Sequence, residues 1–410
     1  MNRITPSLFS STGTDDEWSL CNSLGKDQCT KALEKHWKSF FDRNDFVDIQ
    51  SAGLNAVRIP IGYWAVDVLD YEPYVSGQYP YLIQAVQWAK EMGLQVLIDL
   101  HGLPGSQNGQ DNSGLIGPVE WPRNGTNADR SLRVLRNLTE EFSRDEYGGV
   151  VTGIELMNEP RLSDGNFPMS QLKNFYADGY EAVREVDDSM NVTIHDAFWG
   201  PQYWSNYNPA VNTSSSNGPA SSLTVDTHQY YAFPPLANLT HSEILDSVCN
   251  ISHTLKLSQA QSNIPPVIVG EFSLETGHPP SSSSSSEDDS LEDDQARRTW
   301  YRLLFEAQNA AYTPNGPGQA SIGWYYWTWK TEWDIDTWSY RRGVADGYIP
   351  GDVSNASTYA FPVLGNGCVD AQFNYTAPLH AGAGPWALDK GVRWLLWSAL
   401  SVSICIVMIP

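Results

Sequence analysis

Between Lys31 and Trp327 helix-patterned and strand-patterned segments alternate, and this alternation constrains the fold more than any other feature of the chain. Leu33, Trp37 and Phe40 stand at helical spacing in Lys31–Phe41, and further helices are predicted over 45–52, 81–91, 130–143, 172–185, 242–258 and 295–311. Gly53 and Gly93 close two of them, where a left-handed cap suits glycine. Short apolar runs lie between, at 55–60, 94–100, 151–157, 192–195, 223–228, 267–270 and 320–327. Strands joined through helices run parallel, because a hairpin turn cannot return the chain in the same direction. The prediction is an α/β fold: either a (β/α)8 TIM barrel lacking its first strand, or an open doubly wound sheet. No Gly-x-Gly-x-x-Gly turn follows the first strand, which weakens the open alternative.

The ends of these runs carry polar groups. The run at 151–157 stops at Asn158-Glu159-Pro160, and proline prevents the ladder from continuing. The run at 267–270 ends in Glu271. Arg58, Asp99, His101, Asp226, His228 and Tyr230 stand at other strand ends, and Tyr325, Tyr326, Trp327 and Trp329 close the last. In a parallel barrel that rim is where chemistry sits. One glutamate at a strand end is better read as a surface residue. Two, in this company, suit the acid and the nucleophile of glycosidic cleavage.

Composition narrows the partners. A formal net charge of −23 over 410 residues excludes nucleic acid, whose phosphates need a basic surface. The 16 Trp and 20 Tyr supply core and also flat faces for sugar rings. Eight Asn-x-Ser/Thr sequons (Asn124, Asn137, Asn191, Asn212, Asn238, Asn250, Asn355, Asn374) point to a secreted glycoprotein, with Asn191, inside a strand, the least suited. Met1-Asn-Arg-Ile-Thr offers no signal peptide. Five cysteines lack metal-type spacing, and four suffice for two bridges. Ser281–Asp294, rich in serine and acid, is expected to be a disordered loop. Residues 371–393 read as a flexible spacer, and 394–409 as an apolar tail too short for an ordinary span. Small residues at 381–384, a polar spacer and that tail match a GPI-attachment signal, with a short membrane anchor as the alternative.

Arg58-Ile-Pro60, Leu100-His101-Gly102, Asn158-Glu159-Pro160, His228-Gln-Tyr230 and Gly270-Glu271 together resemble glycoside hydrolase family 5. Val57-Arg-Ile-Pro-Ile-Gly-Tyr-Trp64, His101-Gly-Leu-Pro-Gly-Ser-Gln-Asn108, Asp111-Asn-Ser-Gly114 and Trp327-Thr-Trp-Lys-Thr-Glu332 are similar to its fungal exo-β-1,3-glucanase branch. The resemblance runs from about Ile4 to Cys368, so residues 1–370 form the expected catalytic domain. It implies a retaining enzyme with Glu159 as acid/base and Glu271 as nucleophile. Arg58, His101, Asn112, Asn158, His228, Tyr230, Phe233 and Trp327 would be its substrate-binding residues. Arg58 is expected near Glu271, Tyr230 as a hydrogen-bond donor to it, and Trp327 as the floor of the sugar subsite. Neither metal nor cofactor is required. The partner is β-glucan, handled by a monomer at the cell surface. Cys249–Cys368 and Cys21–Cys29 are the expected bridges, with Cys405 left over.

Two departures stand out. The family's Gly-Gly-Trp-Leu strand would precede Ile4, so the chain reads as N-terminally truncated, and its folding and activity become open questions. Gln110 stands where relatives commonly carry an aromatic that clamps the acceptor with the residue at Phe233. Three functions follow: an exo-β-1,3-glucanase; a β-1,6-glucanase or β-glucosidase with the same chemistry; or an inactive glucan-binding wall protein.

Overall fold

The structure, a computed structural model, describes residues 4–162, 167–212, 222–278, 287–379 and 404–406. The chain divides into two compact units, one comprising residues up to Phe46 and Ala56–Thr227, the other Val47–Asn55 and His228–Ile406.

The first unit is built on parallel strands in sequential order: β1 (Ala56–Gly62), β2 (Gln95–Gly102), β3 (Val151–Glu155), β4 (Asn191–His195) and β5 (Leu223–Tyr231), whose tip continues into the second unit. Helices α5 (Tyr79–Glu91), α6 (Gly125–Phe142) and α7 (Met169–Arg184) make the crossovers and pack on β1–β2, β3 and β4. Because side chains alternate along a strand, the register sorts them into two faces. Val57, Ile59, Val96, Ile98, Leu100, Ile154, Val192, Ile194 and Val225 share one face, all buried. Arg58, Asp99, Glu155, Thr193, His195, Thr224 and Asp226 share the other. The aliphatic face holds the helices; the polar face is free for chemistry.

Short helices α1 (Pro6–Ser10), α2 (Glu17–Leu24) and α3 (Lys26–Ser39) precede β1. Asp16 caps α2 by accepting from Ser19 N at 2.7 Å. Cys21 and Cys29 are bridged and buried with Phe9, Leu20, Leu33 and Trp37. Helix α4 (Arg43–Ser51) runs from the first unit into the second.

The second unit carries β6 (Val267–Thr276) and β7 (Ser321–Tyr326), parallel, with α8 (His241–Leu255), α9 (Gln259–Ser262), α10 (Glu287–Tyr312) and α11 (Tyr340–Ala345). Its core surrounds Phe272, whose ring meets Phe305, Tyr312, Trp324 and Tyr326. Helix α8 opens on a capping box of Thr240 and Glu243 and is tied to the later chain by the Cys249–Cys368 bridge. Both expected bridges are present.

All seven predicted strands and their helices are found, and one expectation is corrected. The acidic stretch Glu287–Asp294 is not a loop; it forms the first turns of α10, and Asp294 pairs with Arg298 at 2.9 Å. Residues 281–286 of the same prediction lie outside the described residues. The apolar tail contributes β8 (Ile404–Ile406), parallel to β7 through Tyr325↔Ile404 and Tyr326↔Cys405. A β-branched apolar run beside an open strand edge satisfies that edge's backbone groups. Most of the predicted spacer and tail, 380–403 and 407–410, lies outside the described residues. No helix among the described residues is long and apolar enough to cross a membrane.

Candidate active site

In the first unit the polar face converges on Arg58, which is fully buried. Its guanidinium donates to Glu155 Oε2 at 2.8 Å and Asn158 Oδ1 at 2.8 Å, and stands 3.0 Å from Asp99 Oδ2 and 3.8 Å from Asp226 Oδ2. Arg58, expected as a substrate ligand, thus holds Asn158 from behind. Burial pushes Glu155 well above the usual carboxyl range, with repulsion from Asp226 and Asp99 adding to it and Arg58 opposing it.

Asp99 Oδ2 also meets His101 Nδ1 at 2.5 Å, and His101 Nε2 lies 3.4 Å from Asn158 Nδ2. Gln107 fastens the main chain around these groups, donating to the carbonyls of His101 at 2.7 Å and Asn158 at 2.9 Å. Asn158 is therefore fixed at side chain and backbone before any substrate arrives, which is what preorganisation requires.

Glu159 follows, half-buried, with its backbone in the left-handed region at φ 46°. Its Oε2 accepts from Asn112 Nδ2 at 2.6 Å, and Asn112 in turn accepts from Asn108 Nδ2 at 3.0 Å. Asn112 sits on the loop after β2, whose fold is locked by the Ser106–Ser113 hydroxyl contact at 2.6 Å and by Ser106 accepting from Gly109 N at 2.8 Å. The start of α2 and its cap grip this loop: Trp18 N donates to Gly114 O at 3.0 Å, and Asp16 Oδ2 accepts from Ile116 N at 3.2 Å. Gly114, at φ 84°, lies so close to Trp64 and the Tyr74 hydroxyl that a Cβ there would collide with both. A ring nitrogen of buried His195 lies within 4.8 Å of a Glu159 carboxyl oxygen.

In the second unit Glu271, on β6, is buried and accepts from the Tyr230 hydroxyl at 2.7 Å, as expected from the sequence; His228 Nδ1 lies 3.5 Å from the same oxygen. Tyr230, Phe233 and Trp338 form an aromatic group, with Tyr230 5.7 Å from Phe233 and 5.6 Å from Trp338. Phe233 is exposed. Trp327, at the end of β7, precedes a cis peptide bond and retains slight exposure, whereas Trp329 is fully buried against Tyr340. Of the two, only Trp327 has surface to offer.

Sequence reasoning missed Glu155, His195, Gln107 and Trp338. Glu155 and His195 were legible in principle: each interrupts an aliphatic strand at the position where period-two alternation turns toward the polar face.

A family model for Cellulase (glycosyl hydrolase family 5) matches residues 21–332. The chain belongs to glycosyl hydrolase family 5. Among this family member's relatives, a probable glucan 1,3-beta-glucosidase A of Aspergillus niger is 35% identical over 81% of this chain and 81% of its own length. Glucan 1,3-beta-glucosidase 2 of Wickerhamomyces anomalus is 38% identical over 82% of this chain and 83% of its own. The solved structure of rutinosidase from Aspergillus niger matches with a TM-score of 0.66 at 22% identity, over 85% of this chain and 94% of that one, and bears on the fold alone. The family member has the (β/α)8 barrel fold predicted from its strand–helix alternation, and among the described residues no strand precedes β1. It is an O-glycosyl hydrolase.

Proposed function

We propose that this enzyme is a retaining exo-β-1,3-glucanase that releases glucose from non-reducing ends of β-1,3-glucan in cell-wall remodelling. Its similarity to proteins named glucan 1,3-beta-glucosidase, at 35% and 38% identity, supports the substrate. The observation that carries the mechanism is the unequal company of the two glutamates. Glu271 is buried and accepts from the Tyr230 hydroxyl, an environment for an ion that must attack. Glu159 is half-open and held through Asn112, an environment for a group that exchanges protons with leaving group and water.

Glu271 attacks C1 while Glu159 gives its proton to the departing glycosidic oxygen. The C1–O bond breaks and a glucosyl ester on Glu271 forms. Glu159, now a carboxylate, takes a proton from water as that water attacks C1. The ester breaks, glucose leaves with its configuration retained, and both carboxyls return to their starting states. Such a mechanism operates with carboxyls about 5–5.5 Å apart. Asn158 is assigned to the sugar 2-hydroxyl, where a hydrogen bond strengthens as charge develops. His101, His228, Phe233 and Trp327 are assigned to the glucosyl residue and its neighbour, with Arg58 serving Glu271 as well as Asn158.

Glu271→Ala should abolish laminarin hydrolysis, and azide should restore turnover to a product of inverted configuration. Glu159→Ala should spare substrates with good leaving groups. Wild-type rates in both variants would refute the assignment; products on laminarin, pustulan and aryl glucosides fix the linkage.

We place the enzyme, as a monomer, outside the cell or at the wall. Sequon asparagines Asn124, Asn238, Asn355 and Asn374 are exposed, which supports glycosylation there; Asn191 Nδ2 instead donates to Thr152 O at 2.9 Å. GPI attachment after the small residues at 381–384 would remove β8. Release by phosphatidylinositol-specific phospholipase C tests it, and a mature chain retaining 404–406 overturns it.

A further inference from the structure

The loop after β4 is built to hold aromatic rings out into solvent. Ala197 and Phe198 are consecutive residues in the left-handed region, at φ 57° and 62°, a conformation that side chains with a Cβ adopt rarely. Three hydrogen bonds fix it: Ala197 N to His195 Nδ1 at 3.0 Å, Phe198 N to Asp196 Oδ1 at 2.7 Å, and Trp199 N to Asp196 O at 3.2 Å. Buried Trp204 anchors the base of the loop through its indole N–H, donating to the Asp196 carbonyl at 3.1 Å. The outcome is a Phe198 that is 59% exposed and a Trp199 that is 58% exposed, far from the burial such rings usually find. Trp199 stands 5.0 Å from Tyr203, itself partly exposed, and Lys173 Nζ sits 4.8 Å above the Tyr203 ring.

Phe198, the neighbour of Trp199 in the chain, leads from this loop to the candidate acid/base. His195 lies within 4.8 Å of Glu159, and the Phe198 ring is 4.9 Å from the His195 ring. It also answers a deficit: Gln110, exposed on the loop after β2, has no aromatic face to offer an acceptor. A pyranose presents an apolar C–H face, which an indole or phenol ring covers well; the polar rims of both partners stay in water.

We propose that the Trp199–Tyr203 pair is the surface on which the leaving-group side of a β-glucan chain rests, in place of the ring that Gln110 does not provide. This rests on reading the site as a β-glucan hydrolase. The pair acts on chain length rather than on the chemical step, since it touches sugar units beyond the bond that breaks.

Trp199→Ala and Tyr203→Ala, with Trp199→Phe as the conservative variant, test this on laminaripentaose against 4-nitrophenyl β-glucoside, whose leaving group ends short of the shelf. The ratio of the two kcat/KM values should fall roughly tenfold in the alanine variants, chiefly through KM for the pentaose, and should be largely restored by phenylalanine. Equal losses on both substrates, or an unchanged ratio, overturn the proposal. Retardation in native gels containing laminarin, with dextran as control, reads binding without turnover. Loss of retardation in Trp199→Ala supports the shelf even if neither substrate is hydrolysed, and unchanged retardation overturns it.

Discussion

Glu17→Gln should make the fold less sensitive to alkali. Glu17 begins α2, fully buried, and neither of its carboxyl oxygens completes a hydrogen bond. Burial pushes its pKa up from 4.5 to about 8; the Trp64 indole beside it opposes the rise and Asp16 adds to it, and no cation is among the causes. Tyr74 lies close enough to feel the Glu17 charge and is itself pushed up, mainly by burial. A carboxyl with a raised folded-state pKa keeps its proton in the native protein where the unfolded chain has lost it. The native state therefore binds more protons between pH 4.5 and about 8, and stability falls as pH rises through that window. At about 1.4 kcal/mol per pH unit, the interval from 4.5 to about 8 amounts to about 5 kcal/mol. Glutamine cannot ionise, so the variant should match the wild type near pH 4.5 and exceed it by several kcal/mol at pH 8.5. Urea unfolding followed by tryptophan fluorescence across this range gives the comparison. The same decline with pH in both proteins would refute the reasoning. Hydrogen exchange adds a local reading: Asp16 and Trp18 grip the loop that carries Asn112, so amides of residues 109–117 should loosen above pH 8 in the wild type and not in the variant.

Tyr230→Phe removes the hydroxyl that donates to Glu271, and kcat should fall by roughly tenfold or more, the worth of one hydrogen bond to a charged group; an unchanged kcat would deny Tyr230 its role. Cys368→Ser opens a bridge of sequence separation 119, and chain entropy sets the expected loss at about 5 kcal/mol as an upper figure, read from urea midpoints. Glu72→Ala takes from buried Arg130 two acceptors, at 2.8 and 2.9 Å, and leaves it Asp67 at 3.2 Å; a loss of about 2–3 kcal/mol is expected in urea unfolding, and Glu72→Ala with Arg130→Met should recover part of it.

The strands and helices could be read from the sequence because each carries its own period, and β1 through β7 stand where alternating hydrophobicity put them. The Tyr230–Glu271 bond was legible because a carboxylate that is to stay ionised calls for a donor beside it. What escaped notice depends on register. Glu155 reads as an acidic residue inside an apolar strand until pairing places it opposite Asp99 and next to Arg58. His195 reads as a strand terminus until the loop after β4 turns Phe198 against it. The acidic run before residue 295 has nothing to bury by itself, so its helix is visible only once α10 is seen to extend back through it. Apolarity does not state its partner, so the pairing of Ile404 and Cys405 with β7 could not be read from the tail's composition.

Glu159 keeps a left-handed backbone at φ 46° without being glycine. A residue with a Cβ resists that conformation by about 1 kcal/mol or more, and glycine does not. Glu159→Gly should therefore yield a protein that has lost turnover of laminarin yet is somewhat harder to unfold. The carboxylate sits there against the conformational preference of its own residue, so selection for a sturdier fold alone would drift toward erasing it.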